Sequence, residues 1–157
     1  MKKIQPFLWF KENGHEAMEL YASLFPDSRI VSVIPLPEAP GPKGQFVGIF
    51  ELMGETFMCI QGGENPMLAA TGPISLVVSC DSQEEIDKLW DAFSDGGNPI
   101  ACGWITDRYG ITWQVTPTVL GEYMSDPDPE KAKRTSIAMM DMVKLDIAAL
   151  KRAHDGE

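Results

Sequence analysis

Residues Cys102-Gly103-Trp104-Ile105-Thr106-Asp107-Arg108-Tyr109-Gly110-Ile111-Thr112-Trp113-Gln114 place two strand-like runs on either side of an Asp-x-x-Gly turn. In such a turn Asp107 bonds backbone near itself and Gly110 supplies the unusual backbone angle. An earlier stretch, Phe50 to Met58, has the same layout about Gly54. Gly54, Thr56 and Phe57 fall where Gly110, Thr112 and Trp113 stand, and Leu20-Tyr21 and Leu24-Phe25 recur as Leu89-Trp90 and Phe93. The pattern indicates a duplicated unit with an aromatic-walled pocket.

Working outward, Ile4 to Phe10 is a short apolar run that reads as a strand. Asn13-Gly14 breaks it, and apolar residues then recur at helical spacing until Pro26. Arg29 to Leu36 reads as a strand, Pro37 to Gly44 as a loop, and Gln45 to Met53 with Glu55 to Gln61 as a hairpin. After the loop from Gly62 to Pro73 the order starts again. A strand from Ile74 to Cys80 is followed by a helix that Asp81-Ser82 caps and Gly96-Gly97 ends. Short strands follow at Pro99 to Cys102, Trp104 to Thr106 and Ile111 to Thr116.

The expected fold is α+β: two βαβββ modules with a C-terminal helical extension, forming a single domain over residues 1–157. Module one covers 1–61, module two 74–117 and the extension 118–157. In the extension Pro129 suits a first helical turn, and helical spacing runs from Thr135 to Met142 and from Val143 to Ala153. Ala138, Met139, Met142, Leu145, Ile147 and Leu150 share its apolar face. Each sheet of such a pair has one face covered by its helix and another that must find a second cover.

Composition narrows the function by exclusion. A formal net charge of -10 leaves no basic stripe for nucleic acid and disfavours an anionic membrane surface. The chain has no run of about 18 apolar residues and no signal-peptide h-region, so a cytoplasmic location is expected. Cys59, Cys80 and Cys102 are odd in number and lack CxxC spacing, which suggests neither a disulfide framework nor a zinc ribbon.

The candidate ligand-binding residues are Trp9, Cys102, Trp104, Trp113 and Gln114. The tryptophans can stack on a planar ligand or fill the core. Gln114 offers two donors and an acceptor with which to orient a carbonyl or hydroxyl. Cys102 lacks a His partner and reads as an inert thiol. His15 lies in a first helical turn and His154 in a charged tail, so both are expected to cap a helix or face solvent. Asp81, Glu84, Glu85 and Asp87 read as a solvated first turn that complements the helix dipole.

The chain resembles the PhnB-like family of the vicinal oxygen chelate (glyoxalase/bleomycin-resistance) superfamily. The resemblance rests on Phe10-x-x-Asn13-Gly14-x-Glu16-Ala17-x-x-x-Tyr21-x-x-x-Phe25, Ser79-Cys80, Glu85-x-Asp87-x-x-Trp90, Gly96-Gly97, Cys102-Gly103-Trp104, Asp107-x-x-Gly110-x-x-Trp113-Gln114, Pro117 and the terminal Met142-Val143-Lys144-Leu145-Asp146. It implies paired βαβββ modules and a homodimer. It also brings a methyltransferase label that Gly62-Gly63 and Gly96-Gly97 do not support, since neither has the spacing or context of an S-adenosylmethionine turn.

Metal-using members of the superfamily hold a divalent ion with His and Glu. The resemblance puts those places near Gln5 or Pro6, at Ser75 and at Gln114, with Met58 as the counterpart of Gln114 in the first half. None is His or Glu, so no metal and no cofactor are expected. The expected function is binding of a small aromatic or apolar molecule. Two alternatives stand beside it: a metal-dependent enzyme of lyase, isomerase or dioxygenase type on a small oxygenated substrate, and a structural or interaction protein with a vestigial pocket.

Overall fold

The computed structural model describes residues 5–36, 44–64 and 75–157. It contains two compact units, Met1–Gly72 and Pro73–Glu157. Ile4, most of the loop from Pro37 to Gly44 and Ile74 lie outside the described residues.

The first unit runs β1 (Phe7–Phe10), α1 (Gly14–Leu24), β2 (Arg29–Pro35), β3 (Phe46–Leu52) and β4 (Glu55–Gln61). The second runs β5 (Leu76–Cys80), α2 (Gln83–Ser94), β6 (Asn98–Pro99), β7 (Trp104–Thr106) and β8 (Thr112–Pro117), then α3 (Thr118–Met124), α4 (Pro129–Met140) and α5 (Ile147–Asp155). The sheets have the orders β1-β4-β3-β2 and β5-β8-β7-β6. In each, the first strand pairs parallel with the last and the remaining neighbours pair antiparallel. The βαβββ repeat is present in both halves.

Register makes the repeat exact enough to compare positions. Phe7 and Ile49 flank Met58 in the first sheet as Val77 and Trp104 flank Gln114 in the second. Phe57 opposes Phe50 as Trp113 opposes Ile105.

Alternation divides each sheet into a helix-facing side and an open side. In the first unit Phe10, Phe50 and Cys59 are buried with Met18 and Tyr21 of α1. Here Gly48 is required by space: a Cβ would meet Met18 Sδ at 2.6 Å and Cys59 Sγ at 2.7 Å. In the second unit Ile105, Trp113 and Val115 are buried with Ile86 and Phe93 of α2. The Ser82 hydroxyl caps α2 by accepting from Glu85 N, and Glu85 in turn accepts from Asp81 N.

Three expectations need correction. The strand expected over Pro99 to Cys102 stops at Pro99, because Cys102 and Gly103 adopt left-handed backbone angles of 55° and 82°. The helix expected from Val143 begins only at Ile147, where Asp146 caps it by accepting from Ala149 N. His154 is buried rather than solvated. Its ring stacks on Tyr123 with centroids 4.3 Å apart, and its Nε2 lies 3.0 Å from Asp126 Oδ2. His15 is half-exposed beside Glu19, as a first-turn residue should be.

Candidate functional site

The open side of the second sheet carries Val77, Ser79, Trp104, Thr106, Thr112, Gln114 and Thr116, with Ser75 just before β5. Trp104 and Gln114 are direct cross-strand partners, and Val77 lies on the other flank of Gln114. Trp104 is 37% exposed and Val77 60% exposed. Gln114 is half-buried, and its Nε2 donates to Ser75 Oγ at 2.8 Å. Thr106 and Thr112 share a hydroxyl hydrogen bond of 3.1 Å. The result is an indole beside a polar pair.

Trp113 points the other way. It is 3% exposed and stacks on Phe93 of α2, with centroids 4.7 Å apart. Its Nε1 donates to Asp107 Oδ2 at 2.9 Å, while Asp107 Oδ1 accepts from Tyr109 N and Ile111 N. Asp107 therefore does more than shape the turn. A buried indole N–H needs an acceptor, and this carboxylate supplies one while closing the loop.

Cys102 stands on the turn before β7 with its thiol 4.0 Å from the Met140 carbonyl oxygen, toward the extension. Trp9 belongs to the first unit, where its Nε1 donates to Gly63 O at 2.9 Å. Its ring covers Gly62, since a Cβ there would lie 2.4 Å from the indole. Of the five residues selected from the sequence, the structure brings Trp104 and Gln114 together. It places Trp113 in the core, Cys102 on a turn and Trp9 in the other unit. Val77 was not selected, although its alternation with buried Cys80 and its partner Gln114 put it on the same open side.

The helical extension holds the turn that delivers Trp104. Cys102 N donates to Met142 O and Gly103 N to Val143 O, both at 2.8 Å. Leu145, fully buried, packs so close to Gly103 that a Cβ would meet its Cδ1 at 3.0 Å. Gln83 ties the segment to α2 by donating to Leu145 O and accepting from Ile147 N. Lys144 adds an ion pair with Asp87 at 2.7 Å, which holds the Asp87 carboxyl below its usual range.

The ligand places implied by the resemblance can now be read from register. Gln5 stands two residues before Phe7 as Ser75 stands two before Val77. The second sheet thus offers a hydroxyl and an amide, and the first an amide and the Met58 thioether. Neither pair fits a tightly held transition-metal ion, which selects imidazole or carboxylate. Among the described residues no group of three or more His, Cys, Asp or Glu could hold a metal. Burial pushes the Cys59 and Cys80 thiols up to about 11, so both are poor nucleophiles at neutral pH.

A family model described as 3-demethylubiquinone-9 3-methyltransferase matches residues 2–116. The chain belongs to that PhnB-like family. A PhnB protein from Bacillus cereus is 36% identical, with a TM-score of 0.67 over 74% of this chain and all of the other. Protein PA1353 from Pseudomonas aeruginosa is 21% identical, with a TM-score of 0.60 over 74% of this chain and 98% of that one. The fosfomycin resistance protein FosX from Mesorhizobium loti shares the fold at 11% identity, with a TM-score of 0.51 over 80% and 98% of the two chains. No curated protein matches the sequence. The family model stops short of α3, α4 and α5. Among the described residues no helix is long and apolar enough to cross a membrane.

Proposed function

We propose that this PhnB-like protein binds a small aromatic or apolar molecule on the open side of its second sheet, without a catalytic metal. The observation that carries this reading is the cross-strand pairing of half-exposed Trp104 with Gln114. Residues directly opposite on one face sit about 5 Å apart, so a ring stacked on Trp104 lies within reach of the Gln114 amide. Stacking supplies affinity and the amide fixes orientation. Trp113 and Asp107 support the strand from the helix side.

Thermal-shift screening of the full chain tests the reading, because a ligand that binds only the folded state raises its melting temperature by mass action. Trp104→Ala and Gln114→Ala should each reduce the shift given by any ligand found. A ligand whose binding survives both substitutions would move the site off this face. Stoichiometric Fe, Ni, Mn or Zn in protein purified without chelator would overturn the metal-free reading. The homodimer and the reducing, cytoplasmic setting belong to the same proposal. Sedimentation equilibrium tests the former, and the three free thiols support the latter.

A further inference from the structure

The polar pair beside Trp104 constrains what the ligand can be. Gln114 Nε2 donates to Ser75 Oγ, which leaves Gln114 Oε1 able to accept and the Ser75 hydroxyl able to donate. Reversing the amide exchanges the roles but keeps the balance: Ser75 then donates to Oε1, the amide N–H groups remain free and Ser75 Oγ accepts. Either way the pair presents a donor next to an acceptor. Of the other hydroxyls on this face, Thr106 pairs with Thr112 and Thr116 donates to Val78 O.

Among the described residues of this sheet, the same face carries no charge. Its positions on β5, β7 and β8 are Val77, Ser79, Trp104, Thr106, Thr112, Gln114 and Thr116, with no Lys, Arg, His, Asp or Glu among them. A carboxylate bound here would shed water without gaining a cation. It would also meet the carbonyl oxygen of Gln114, under the long-range field of a chain with net charge -10. A purely apolar ring would leave the Gln114–Ser75 pair covered and unsatisfied, which costs binding.

We propose that the site selects a neutral planar molecule whose edge carries a donor beside an acceptor, such as a primary carboxamide or a lactam, and rejects the matching carboxylate. This rests on the binding reading above and adds the chemical class. The ring lies against Trp104, the ligand N–H faces the acceptor of the pair, and the ligand carbonyl faces its donor.

Three probes built on one phenyl ring separate the terms: benzamide, benzoate and toluene, titrated against the 157-residue chain at pH 7.5. Ligand-observed NMR and tryptophan fluorescence give the readout. Benzamide should bind about tenfold or more tighter than benzoate, the scale expected when a buried charge or polar group goes unpaired. Gln114→Leu should narrow that preference, with a thermal melt confirming that the variant folds. Benzoate binding as tightly as benzamide would overturn the ligand class and leave the site standing. Toluene binding tighter than benzamide would remove the role of the polar pair. If none of the three binds in a Trp104-dependent manner, both the class and the binding reading fall.

Discussion

The two sheets share one plan and differ in how their outer strands are held. In the first, β2 and β3 are seven residues each and pair along nearly their whole length. In the second, β6 has two residues and β7 three. The second sheet cannot fix its outer edge by ladder bonds alone. The segment Met142–Leu145 makes up the shortfall, accepting the N–H groups of Cys102 and Gly103 and burying Leu145 against them. The outer edge that carries Trp104 is thus supported by the extension, whereas its counterpart Ile49 sits mid-strand.

That contrast is broken most strongly at Leu145. Leu145→Ala should cost about 3 kcal/mol, the usual cost of a cavity at a fully buried leucine. Urea denaturation checks the loss. Ile49→Ala, at a half-buried position between two long strands, should cost less and leave Cys102 unaffected. Faster labelling of Cys102 by a thiol reagent in Leu145→Ala would show that the turn itself has loosened. Unchanged labelling would refute the bracing role.

The hairpins differ in a second way. Leu52 pairs with Glu55 across a two-residue turn, where Met53 and Gly54 both have positive φ. Thr106 pairs with Thr112 across a longer loop closed by Asp107. The cause lies in the strand that follows. The Phe57 side chain has no N–H to satisfy and stacks on Phe50, whereas Trp113 brings an indole N–H into the core. Asp107→Ala should therefore destabilise by about 2 kcal/mol, since it strips acceptors from three donors at once. Trp113→Phe should cost about 1 kcal/mol and remove part of the Asp107 effect, a coupling that a double-mutant cycle in urea would read. Strict additivity would mean that the carboxylate serves only the loop.

These two contrasts mark what the sequence could show. Alternation and turn residues around Gly54 and Gly110 revealed the duplication, because both are local and strictly spaced. The open side was legible at Trp104 and Gln114 once Trp113 is taken as buried, since neighbours along a strand must diverge. Other features were hidden because they depend on contacts far apart in the chain. Leu145 looked like one more residue of a helical stripe, yet it lies in a non-helical segment held by Gln83, 62 residues earlier. His154 looked solvated among charges, but Tyr123 and Asp126 enclose it. Neither partner can be chosen from spacing alone.

Each sheet also buries one thiol, Cys59 on β4 and Cys80 on β5, and burial raises both from the ordinary thiol value of 9.0 to about 11. A thiol whose folded pKa is raised stays protonated in the native chain after it ionises in the unfolded one. The stability is therefore fully present below pH 9 and is lost as pH climbs toward 11. At pH 10 the loss should be about 1.4 kcal/mol per thiol. The comparison sharpens in the causes: burial dominates both, but Glu85 and Asp81 add to it only at Cys80. Glu85→Gln should flatten the Cys80 contribution to the stability–pH curve, measured in a Cys59→Ala background. In the Cys80→Ala background, where only Cys59 titrates, it should change nothing.

The smallest expected effect on stability falls on the position that matters most for binding. Met58 and Gln114 hold equivalent sites, each flanked by an apolar residue on its parallel neighbour. Gln114→Met gives the second sheet the first sheet's centre. Half-buried, and losing one hydrogen bond to Ser75, it should shift stability by no more than about 0.5 kcal/mol, the range of substitutions away from core features. The preference for benzamide over benzoate should nevertheless weaken, because the donor–acceptor edge is gone while Trp104 remains. A large stability loss with selectivity retained would make Gln114 a framework residue and place recognition elsewhere on the face. The predicted pattern is the reverse: the two sheets are interchangeable here as structures and distinct as surfaces.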